Sequence, residues 1–361
     1  MIEVRFKRPA MRLGIETLAR SSVARRIAFL AAASMIVPLG GCVTSTHLGS
    51  SDLKRISGRT YVIVGASSGF GKGVALRLGR ERANVVIAAR RTELLEQIAT
   101  DIRTSGGTAL VVATDASKAE DIDALAKAAV RRFGRIDVWM NVAGVGAIGR
   151  FWEIPVQDYS RLIDINVKGV IYGSHAALLQ FITQGQGTLL NVGSIDSEVP
   201  LAYQAVYAAS KASVLSLARS VNQEIRHAGY AKTIKISTIM PWAADTPWWP
   251  HAANYSGHAP RMAMMDPPEK VVEAIVWASL HPREELPVGW KAQASYSMHH
   301  MLPDLTERIS ANVQRAELKK GAPMPPTSGS LYQPMKEGVS VDGGIRTRMR
   351  AEDEAGAPAP M

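Results

Sequence analysis

The chain has 361 residues, of which 47% are hydrophobic and 20% charged, a composition typical of a globular protein with a sizeable core. Its formal net charge is +10, but residues 1–26 hold seven Lys/Arg and only two Asp/Glu, so the basic excess does not indicate a nucleic-acid partner. The single cysteine, Cys42, excludes an intrachain disulfide and a zinc-finger pattern.

Residues 1–42 have the features of an export signal. Two arginines precede a short apolar run over 27–38, and two glycines stand before Cys42. This pattern resembles a bacterial lipoprotein signal, which implies cleavage before Cys42, lipid on its sulfur and attachment to a membrane of the bacterial cell envelope. The apolar run is shorter than the ~20 residues of a membrane span. The alternatives are an uncleaved anchor, or a mis-called start codon with Met11 as the first residue of a cytoplasmic protein.

The first predicted strand, Thr60–Val64, is a short run rich in β-branched residues. A glycine-rich loop follows it and leads into a predicted helix over 74–82. Such a loop lets the backbone approach a pyrophosphate at the helix N-terminus. We therefore predict cofactor contacts from Gly65, Ser67, Ser68, Gly69, Phe70 and Gly71. An ordinary turn is the alternative, because the spacing is Gly-x-x-x-Gly-x-Gly rather than the commoner Gly-x-Gly-x-x-Gly.

The second predicted strand, Asn84–Ala88, ends at Ala89, and Arg90 and Arg91 follow it. In dinucleotide-binding folds an acidic residue at this position accepts the ribose hydroxyl, whereas a nearby arginine accommodates a 2′-phosphate. Alanine cannot accept that hydrogen bond. We therefore predict that both arginines contact the cofactor, which favours NADP and leaves NAD as the alternative. If they are only solvated, they open the predicted helix over 92–105.

Strands and helices continue to alternate along the chain. The strand Thr108–Ala113 ends near Asp115, which we expect at the edge of the adenine ring. A predicted helix over 119–133 precedes the strand Ile136–Met140, which ends at Asn141, another predicted cofactor contact. This alternation predicts an α/β fold with a doubly wound parallel sheet, a Rossmann fold. Ligands of such sheets bind beyond the carboxyl ends of the strands, where these loops would meet.

The strongest chemical signal lies between Ser194 and Lys211. Ser194 follows a strand-like run over 188–192, and its hydroxyl could hold a substrate oxygen. Small and apolar residues over 207–217 predict a helix, on which Tyr207 and Lys211, four residues apart, share a face. An ammonium beside a phenol lowers the pKa of the phenol and prepares it for proton transfer near neutral pH. A surface helix with an unrelated Tyr and Lys is the alternative.

In their order along the chain, these motifs resemble the short-chain dehydrogenase/reductase family over Gly58–Gly289. The matching elements are Gly65-x-x-x-Gly69-x-Gly71, Asp115, Asn141-x-Ala-Gly144, Asn166, Ser194 and Tyr207-x-x-x-Lys211. The resemblance implies an oxidoreductase with a nicotinamide cofactor, and a homo-oligomer.

The resemblance also implies the roles of the site residues. Tyr207 would protonate the carbonyl oxygen during reduction, and Ser194 would hold this oxygen. Lys211 would lower the pKa of Tyr207 and bind the nicotinamide ribose, while Asn166 would support Lys211 through water in a proton relay. Thr246 matches the position that contacts the cofactor carboxamide. For Asn166, a structural amide inside a helix is the alternative.

One departure from the family lies after the strand Ile234–Ile239, where Pro241 is followed by Trp242 instead of the common glycine. The segment 242–265 is rich in aromatic residues and methionine, at the place where the family has a mobile substrate lid. This composition indicates a bulky apolar substrate or contact with a bilayer. Packing of a long loop onto its own domain is the alternative.

The sequence divides into a leader at 1–42, a catalytic domain at 57–292, a helical extension at 296–320 and a tail at 321–361. The tail is rich in Pro, Gly and Ser, which predicts little fixed structure. His299 and His300 have no companion ligands, so we assign no metal site.

These observations predict an NADP(H)-dependent oxidoreductase that interconverts an alcohol and a carbonyl on a hydrophobic small molecule. One alternative is a non-catalytic, nucleotide-binding scaffold tethered to a membrane, against which the complete Ser, Tyr and Lys set argues. Another is an epimerase or dehydratase of a related, longer family, against which the glycine spacing argues.

Overall fold

The computed structural model describes residues 46–356. The leader at 1–42, with Cys42, lies outside these residues, so its cleavage, its lipidation and the envelope location stay predictions. Over residues 46–356, no helix combines the length and the apolar character needed to cross a bilayer.

A seven-stranded parallel sheet forms the centre of the molecule, in the order β3-β2-β1-β4-β6-β7-β9. Its strands are β1 (Thr60–Val64), β2 (Asn84–Ala89), β3 (Thr108–Ala113), β4 (Val138–Asn141), β6 (Gly187–Val192), β7 (Ile234–Pro241) and β9 (Glu285–Val288). A separate parallel pair consists of β5 (Ala147–Ile148) and β8 (Ala253–Asn254). The chain moves outward from β1 to β3 and returns to β4 on the other side of β1. This confirms the doubly wound α/β fold and opens a crevice between the ends of β1 and β4.

Helices cover both faces of the sheet. They are α1 (Ser50–Ile56), α2 (Gly69–Arg80), α3 (Thr92–Thr104), α4 (Ala119–Phe133), α5 (Val156–Ile163), α6 (Gly169–Gln184), α7 (Ala205–His227), α8 (Trp248–His251) and α9 (Pro268–Ala278). A π-helical turn, Asp164–Lys168, joins α5 to α6, and a 3₁₀ turn, Ile195–Ser197, follows β6. The helix after the glycine loop begins at Gly69, earlier than predicted, because its glycines hide the first turn from a propensity argument.

Neighbouring residues of β1 supply two separate cores. Tyr61 and Ile63 pack with α2, α3 and α9, whereas Val62 and Val64 pack with α4, α6 and α7. This follows from the two-residue repeat of a strand, which sends successive side chains to opposite faces. Because both faces are buried, the strands are continuous apolar runs rather than alternating ones.

The predicted extension at 296–320 consists of two helices, α10 (Gly289–Met301) and α11 (Pro303–Lys320). Because α10 begins directly after β9, the predicted domain end at residue 292 falls inside a helix. Ala292 of α10 packs against Ile195 and Val199, which follow β6. The extension is therefore part of the wall next to Ser194.

The tail differs from its prediction of little fixed structure. It buries Leu331 and ends in a last helix, α12 (Ile345–Gly356). The buried carboxylate of Asp245 accepts hydrogen bonds from the backbone N–H groups of Ile345 at 2.7 Å and Arg346 at 2.9 Å. These bonds satisfy donors that a helix N-terminus otherwise leaves unpaired.

Arg261 joins this last helix to the lid, which we define as residues 242–265. Its fully buried guanidinium forms ion pairs with Glu352 and Asp353 of α12, and its Nε lies 3.5 Å from Glu317 of α11. A buried cation is tolerated only when such partners surround it. The tail is thus held by contacts distant in sequence, which its composition did not reveal.

Candidate active site

A cavity of about 430 Å³ lies at the carboxyl edge of the sheet. Thirteen of the predicted site residues line it: Gly65, Ser67, Ser68, Gly69, Phe70, Gly71, Arg90, Arg91, Asp115, Ser194, Tyr207, Lys211 and Thr246. The two that do not are Asn141 and Asn166. The structure therefore brings residues separated by up to 181 positions into one space, as the parallel topology requires.

The glycine loop forms one side of this cavity. Gly65 has φ of +95°, and a Cβ added there would lie 2.5 Å from the backbone nitrogen of Ala143. A Cβ on Gly71 would lie 2.1 Å from the carbonyl oxygen of Gly65. Only glycine fits these positions, and the tight packing leaves the N-terminus of α2 facing the cavity. This cradle suits the pyrophosphate of a dinucleotide.

The two arginines after β2 have different partners. Arg91 donates hydrogen bonds to the hydroxyl of Ser67 at 3.0 Å and of Ser68 at 2.8 Å. Arg90 donates to the carbonyl oxygens of Ser330 at 2.8 Å and Tyr332 at 3.1 Å. Burial lowers the pKa of both guanidinium groups. Arg91 is the one placed to bind a phosphate next to the glycine loop.

Part of the tail forms the opposite side of the cavity, and we call residues 330–344 the cover segment. Besides the bonds from Arg90, carbonyl oxygens of this segment accept hydrogen bonds from the side chains of Arg91 and Lys72. The backbone N–H of Gly69 donates to the carbonyl oxygen of Ser340 at 2.9 Å. Pro334 and Met335 reach the cavity itself. Nearly all these contacts use main-chain acceptors, so no motif in the sequence marks them.

Asp115 is held in an ion pair rather than left free at the cavity edge. Its carboxylate accepts a hydrogen bond from Arg161 at 3.0 Å and from the backbone and hydroxyl of Ser117. These interactions outweigh its burial, so the pKa of Asp115 lies below its usual value. Arg161 also donates to the carbonyl oxygen of Leu331, which ties this pair to the cover segment.

Lys211 and Tyr207 share one face of α7 and both line the cavity. The Lys211 ammonium donates a hydrogen bond to the carbonyl oxygen of Val192 at 2.8 Å and lies 5.7 Å from the centre of the Tyr207 ring. Burial lowers the pKa of Lys211 to about 8, although the charge of Asp196 opposes this shift. The Ser194 hydroxyl accepts from the Asp196 N–H at 3.1 Å, so its own O–H can serve as a donor.

The pKa of Tyr207 differs from the prediction. Part of the side chain faces the cavity, but protein atoms enclose the phenol, and this burial raises its pKa above the ordinary value. The negative charge of Asp196 raises it further, while a hydrogen bond with Ser194 lowers it. Lys211 donates its hydrogen bond to the carbonyl oxygen of Val192 and not to the phenol. The phenol is therefore protonated at neutral pH.

Asn166 lies in the π-helical turn and is fully buried. Its side-chain oxygen accepts from the Val145 N–H at 2.9 Å, and its amide nitrogen donates to the Val145 carbonyl and the Ser210 hydroxyl. A Cβ on Gly144 would lie 3.3 Å from the Lys211 ammonium and 3.6 Å from the Asn166 oxygen. Asn166 thus fixes the backbone beside Lys211, which supports the structural interpretation of its side chain.

Asn141 does not reach the cavity with its side chain. Its amide oxygen accepts from the indole N–H of Trp139 at 2.8 Å, and its amide nitrogen donates to Asn191 at 2.8 Å and Ser174 at 3.3 Å. These bonds hold the amide inside the fold, under the sheet edge. The backbone after it, from Val142 to Gly144, lines the cavity instead.

The lid contributes aromatic residues to the site. Trp248 packs against Tyr207 with ring centres 5.0 Å apart, and Gly146 leaves room for its ring. Thr246 is buried near Gly69, on the side where the glycine loop begins α2. Packing of the lid onto its own domain is therefore shown for Trp248. Apolar side chains form much of the remaining cavity wall: Leu201, Trp242, Met262, Met264, Met298, Ile309 and Val313.

Asp196 is a site residue that the sequence argument missed. It lies on the 3₁₀ turn directly after Ser194 and lines the cavity. Burial raises the pKa of its carboxyl to about 7, and the Lys211 charge only partly opposes this. An acidic residue between the predicted strand end and the predicted catalytic helix was the available signal.

Comparisons with known proteins agree with this geometry. The sequence model of the family described as short chain dehydrogenase matches residues 59–254. The oxidoreductase YxnA of Bacillus subtilis is 33% identical over 264 residues, which are 72% of this chain and 74% of that protein.

Two solved structures are also similar. An alcohol dehydrogenase from the archaeon Thermococcus sibiricus, complexed with 5-hydroxy-NADP, has 26% identity and a TM-score of 0.54, covering 63% of this chain and 94% of its own. A 3-ketoacyl-(acyl-carrier-protein) reductase from Brucella melitensis, complexed with NADH, has 28% identity and a TM-score of 0.55. The match covers 64% of this chain and 96% of the reductase.

Proposed function

The chain belongs to the short-chain dehydrogenase/reductase family, and we propose that it is an NADP(H)-dependent oxidoreductase that interconverts an alcohol and a carbonyl on a hydrophobic substrate. One observation carries the proposal. Ser194, Tyr207 and Lys211 line the same cavity as the glycine loop, so that a proton donor and a dinucleotide cradle share one space.

The residues of the cavity fit a nicotinamide dinucleotide. The backbone around Gly65 and Gly71 is too close for any side chain, which is the arrangement that a pyrophosphate cradle needs. Thr246 lies at the Gly69 end of the cavity and would contact the nicotinamide end. When bound, the cofactor supplies or accepts the hydride.

The protein's own contribution is proton transfer and orientation. In the reductive direction, the Tyr207 hydroxyl gives its proton to the substrate oxygen, which becomes the alcohol oxygen. This phenol is protonated at neutral pH, so it has the proton that the substrate oxygen needs. The Ser194 O–H donates to the same oxygen, and the Lys211 cation, fixed by Val192, stabilises the phenolate that remains.

The proposed preference for NADP(H) rests on the end of β2. Ala89 cannot accept a ribose hydroxyl, and Arg91 lies against Ser67 and Ser68 of the glycine loop, where a 2′-phosphate would meet a positive charge. The two similar enzymes above are complexed with 5-hydroxy-NADP and with NADH, so the family admits both. The position of Arg91 is therefore a stronger argument for NADP(H) than the cofactors of these two enzymes.

Replacement of Tyr207 tests the mechanism. Tyr207→Phe should reduce turnover of NADPH with a hydrophobic ketone by at least ~100-fold, because it removes the general acid. Binding of NADPH, followed by fluorescence, should persist. Tyr230→Phe, outside the cavity, is the matched control. Retained turnover in Tyr207→Phe would refute the assigned role.

Replacement of Arg91 tests the cofactor preference. Arg91→Ala should weaken NADPH binding by about tenfold or more, because a charge-assisted hydrogen bond is lost. The effect on NADH should be smaller, since NADH has no 2′-phosphate. Arg103→Ala is the control for loss of an exposed arginine. Equal losses for the two cofactors would contradict the preference and assign Arg91 to the loop alone.

A further inference from the structure

The carboxyl group of Asp196 has no partner from the protein. Over residues 46–356, no side chain or backbone N–H group donates a hydrogen bond to it, and no cation forms an ion pair with it within 4.0 Å. Yet the residue lies in the cavity wall, two positions after Ser194, and the two are joined by the bond from its own N–H to the Ser194 hydroxyl. Asp196 is partly exposed to this cavity, so its carboxyl group is accessible to a bound ligand.

The charged and titratable groups that face Asp196 are Tyr207 and Lys211, both on α7. The Lys211 ammonium is engaged by the carbonyl oxygen of Val192 and is not available as a close partner. On the other side, α10 presents Ala292 and Tyr296 to the turn that carries Asp196. Tyr296 donates its hydroxyl to Glu285, so it does not serve Asp196 either.

Several of the residues around this turn are apolar. Ile195, Val199 and Leu201 flank it along the chain, and Met298 lies on the facing helix. Asp196 is an acidic acceptor in this wall, two positions after Ser194, which would hold the reacting oxygen. A ligand of matching chemistry would therefore be apolar over most of its length and carry a donor near its reactive carbon.

We propose that Asp196 is a specificity-determining residue, which binds a hydroxyl or amine group that the substrate carries beside its reacting carbonyl or alcohol. The inference rests on the proposed function and narrows the substrate class to hydrophobic α-hydroxy or α-amino ketones and the corresponding alcohols. Ser194 and Tyr207 hold the reacting oxygen, and Asp196 holds the neighbouring donor. A site built to bind such a donor rejects the analogue that lacks it, because its acceptor is then left unpaired.

The test compares two ketones that differ only in the donor, 2-hydroxyacetophenone and acetophenone, with NADPH. The wild-type protein should have the higher kcat/KM for the hydroxy ketone. In Asp196→Ala, the ratio of kcat/KM for the hydroxy ketone to that for acetophenone should fall about tenfold, as expected for loss of one hydrogen bond. Asp196→Asn, which keeps the size of the side chain, should give an intermediate ratio.

An unchanged ratio in Asp196→Ala would overturn the inference, even if both rates fell, because Asp196 would then act only through Tyr207 and Lys211. A wild-type preference for acetophenone would also overturn it. If the protein reduced acetophenone but not the hydroxy ketone, the inference about Asp196 would fail while the proposed function would stand. Failure of the inference can therefore be distinguished from failure of the proposed function.

A binding measurement keeps the inference testable without turnover. Quenching of tryptophan fluorescence, with Trp242 and Trp248 in the cavity wall, can follow 1-phenylethane-1,2-diol and 1-phenylethanol. The diol should bind the wild-type protein more tightly, and this advantage should fall about tenfold in Asp196→Ala. Equal binding of the two alcohols to the wild-type protein would refute the role of Asp196. Thermal melts of both variants show that they are folded.

Discussion

The glycine loop and the cover segment face the same cavity from opposite sides, but different forces hold them. The loop is fixed by contact between backbones, since Gly71 and Gly65 approach so closely that a Cβ would lie 2.1 Å from a carbonyl oxygen. The cover segment is fixed by hydrogen bonds from Arg90, Arg91 and Lys72 to its carbonyl oxygens.

The difference predicts how each side responds to change. A backbone contact depends on residue size and tolerates no addition. A hydrogen bond to a carbonyl oxygen is indifferent to the residue that supplies the carbonyl, but depends on the arginine that donates. We therefore expect the loop side to fail through packing and the cover side to loosen through loss of single donors.

The largest effect should come from the loop side. Gly71→Ala places a Cβ 2.1 Å from the Gly65 oxygen and 3.0 Å from the Ala66 Cα, so the backbone must shift. We expect a loss of about 3 kcal/mol in the free energy of unfolding, measured in urea, together with loss of NADPH binding. Gly49→Ala is the control, because its Cβ would meet nothing within 3.8 Å and should cost at most about 1 kcal/mol. Similar stability of the two variants would disprove the packing argument.

A second effect concerns the buried cation beside the loop. Burial lowers the pKa of Lys211 from 10.5 to about 8, so its charged form opposes folding by up to about 3 kcal/mol below pH 8. This opposition fades as the pH rises from about 8 to 10.5, where the unfolded lysine also loses its proton. Lys211→Met removes this cost but also the hydrogen bond to Val192, which offsets part of the gain. The free energy of unfolding at pH 7 should therefore rise by about 1–2 kcal/mol.

The gain should shrink between pH 8 and pH 10, and activity should be lost at every pH. Urea unfolding at pH 7 and at pH 9.5 measures the difference. Lys127→Met, on the exposed face of α4, is the control and should change little at either pH. If the stability gain of Lys211→Met grew with pH, the lowered pKa of Lys211 would be disproved. The expected result makes Lys211 a residue that serves the site at the expense of stability.

The smallest effect should be on the cover side. Arg90→Ala removes the donors to Ser330 and Tyr332 but leaves Arg91 in place. We expect hydrogen exchange over residues 330–344 to become several-fold faster, while the global free energy of unfolding falls by only about 1 kcal/mol. Arg103→Ala, with exposed partners, should leave this exchange unchanged. Unaltered exchange in Arg90→Ala would show that another interaction holds the cover segment.

The sequence was sufficient for the sheet and the loop because both are locally encoded. Thr60–Val64 and Thr108–Ala113 have the predicted bounds, since short apolar runs with β-branched residues favour strands. The cover segment could not be predicted, because main-chain carbonyls accept hydrogen bonds whatever residue carries them. The same holds for the last helix, α12, because its buried partner Arg261 lies about ninety positions earlier in the chain.

Within the site, residue types were easier to predict than their environments. The position of Asn141 at the end of β4 was correct, but its amide turns inward because Trp139 and Asn191 supply partners there. The pKa of Tyr207 was predicted in the wrong direction, since the burial that raises it comes from segments distant in the sequence, including Trp248. Spacing identifies which side chains meet, whereas desolvation depends on everything around them.

The bonds from Asp245 to the start of α12 have a practical consequence for anyone who expresses this protein. The backbone N–H groups of Ile345 and Arg346 bind Asp245, and the next residue, Thr246, lines the cavity. A recombinant chain cut at residue 292, the boundary that motif matching suggests, would strip a buried carboxylate of these donors. Such a chain is not a minimal catalytic unit, and affinity tags or fusions placed at the C-terminus should be checked for their effect on cofactor affinity first.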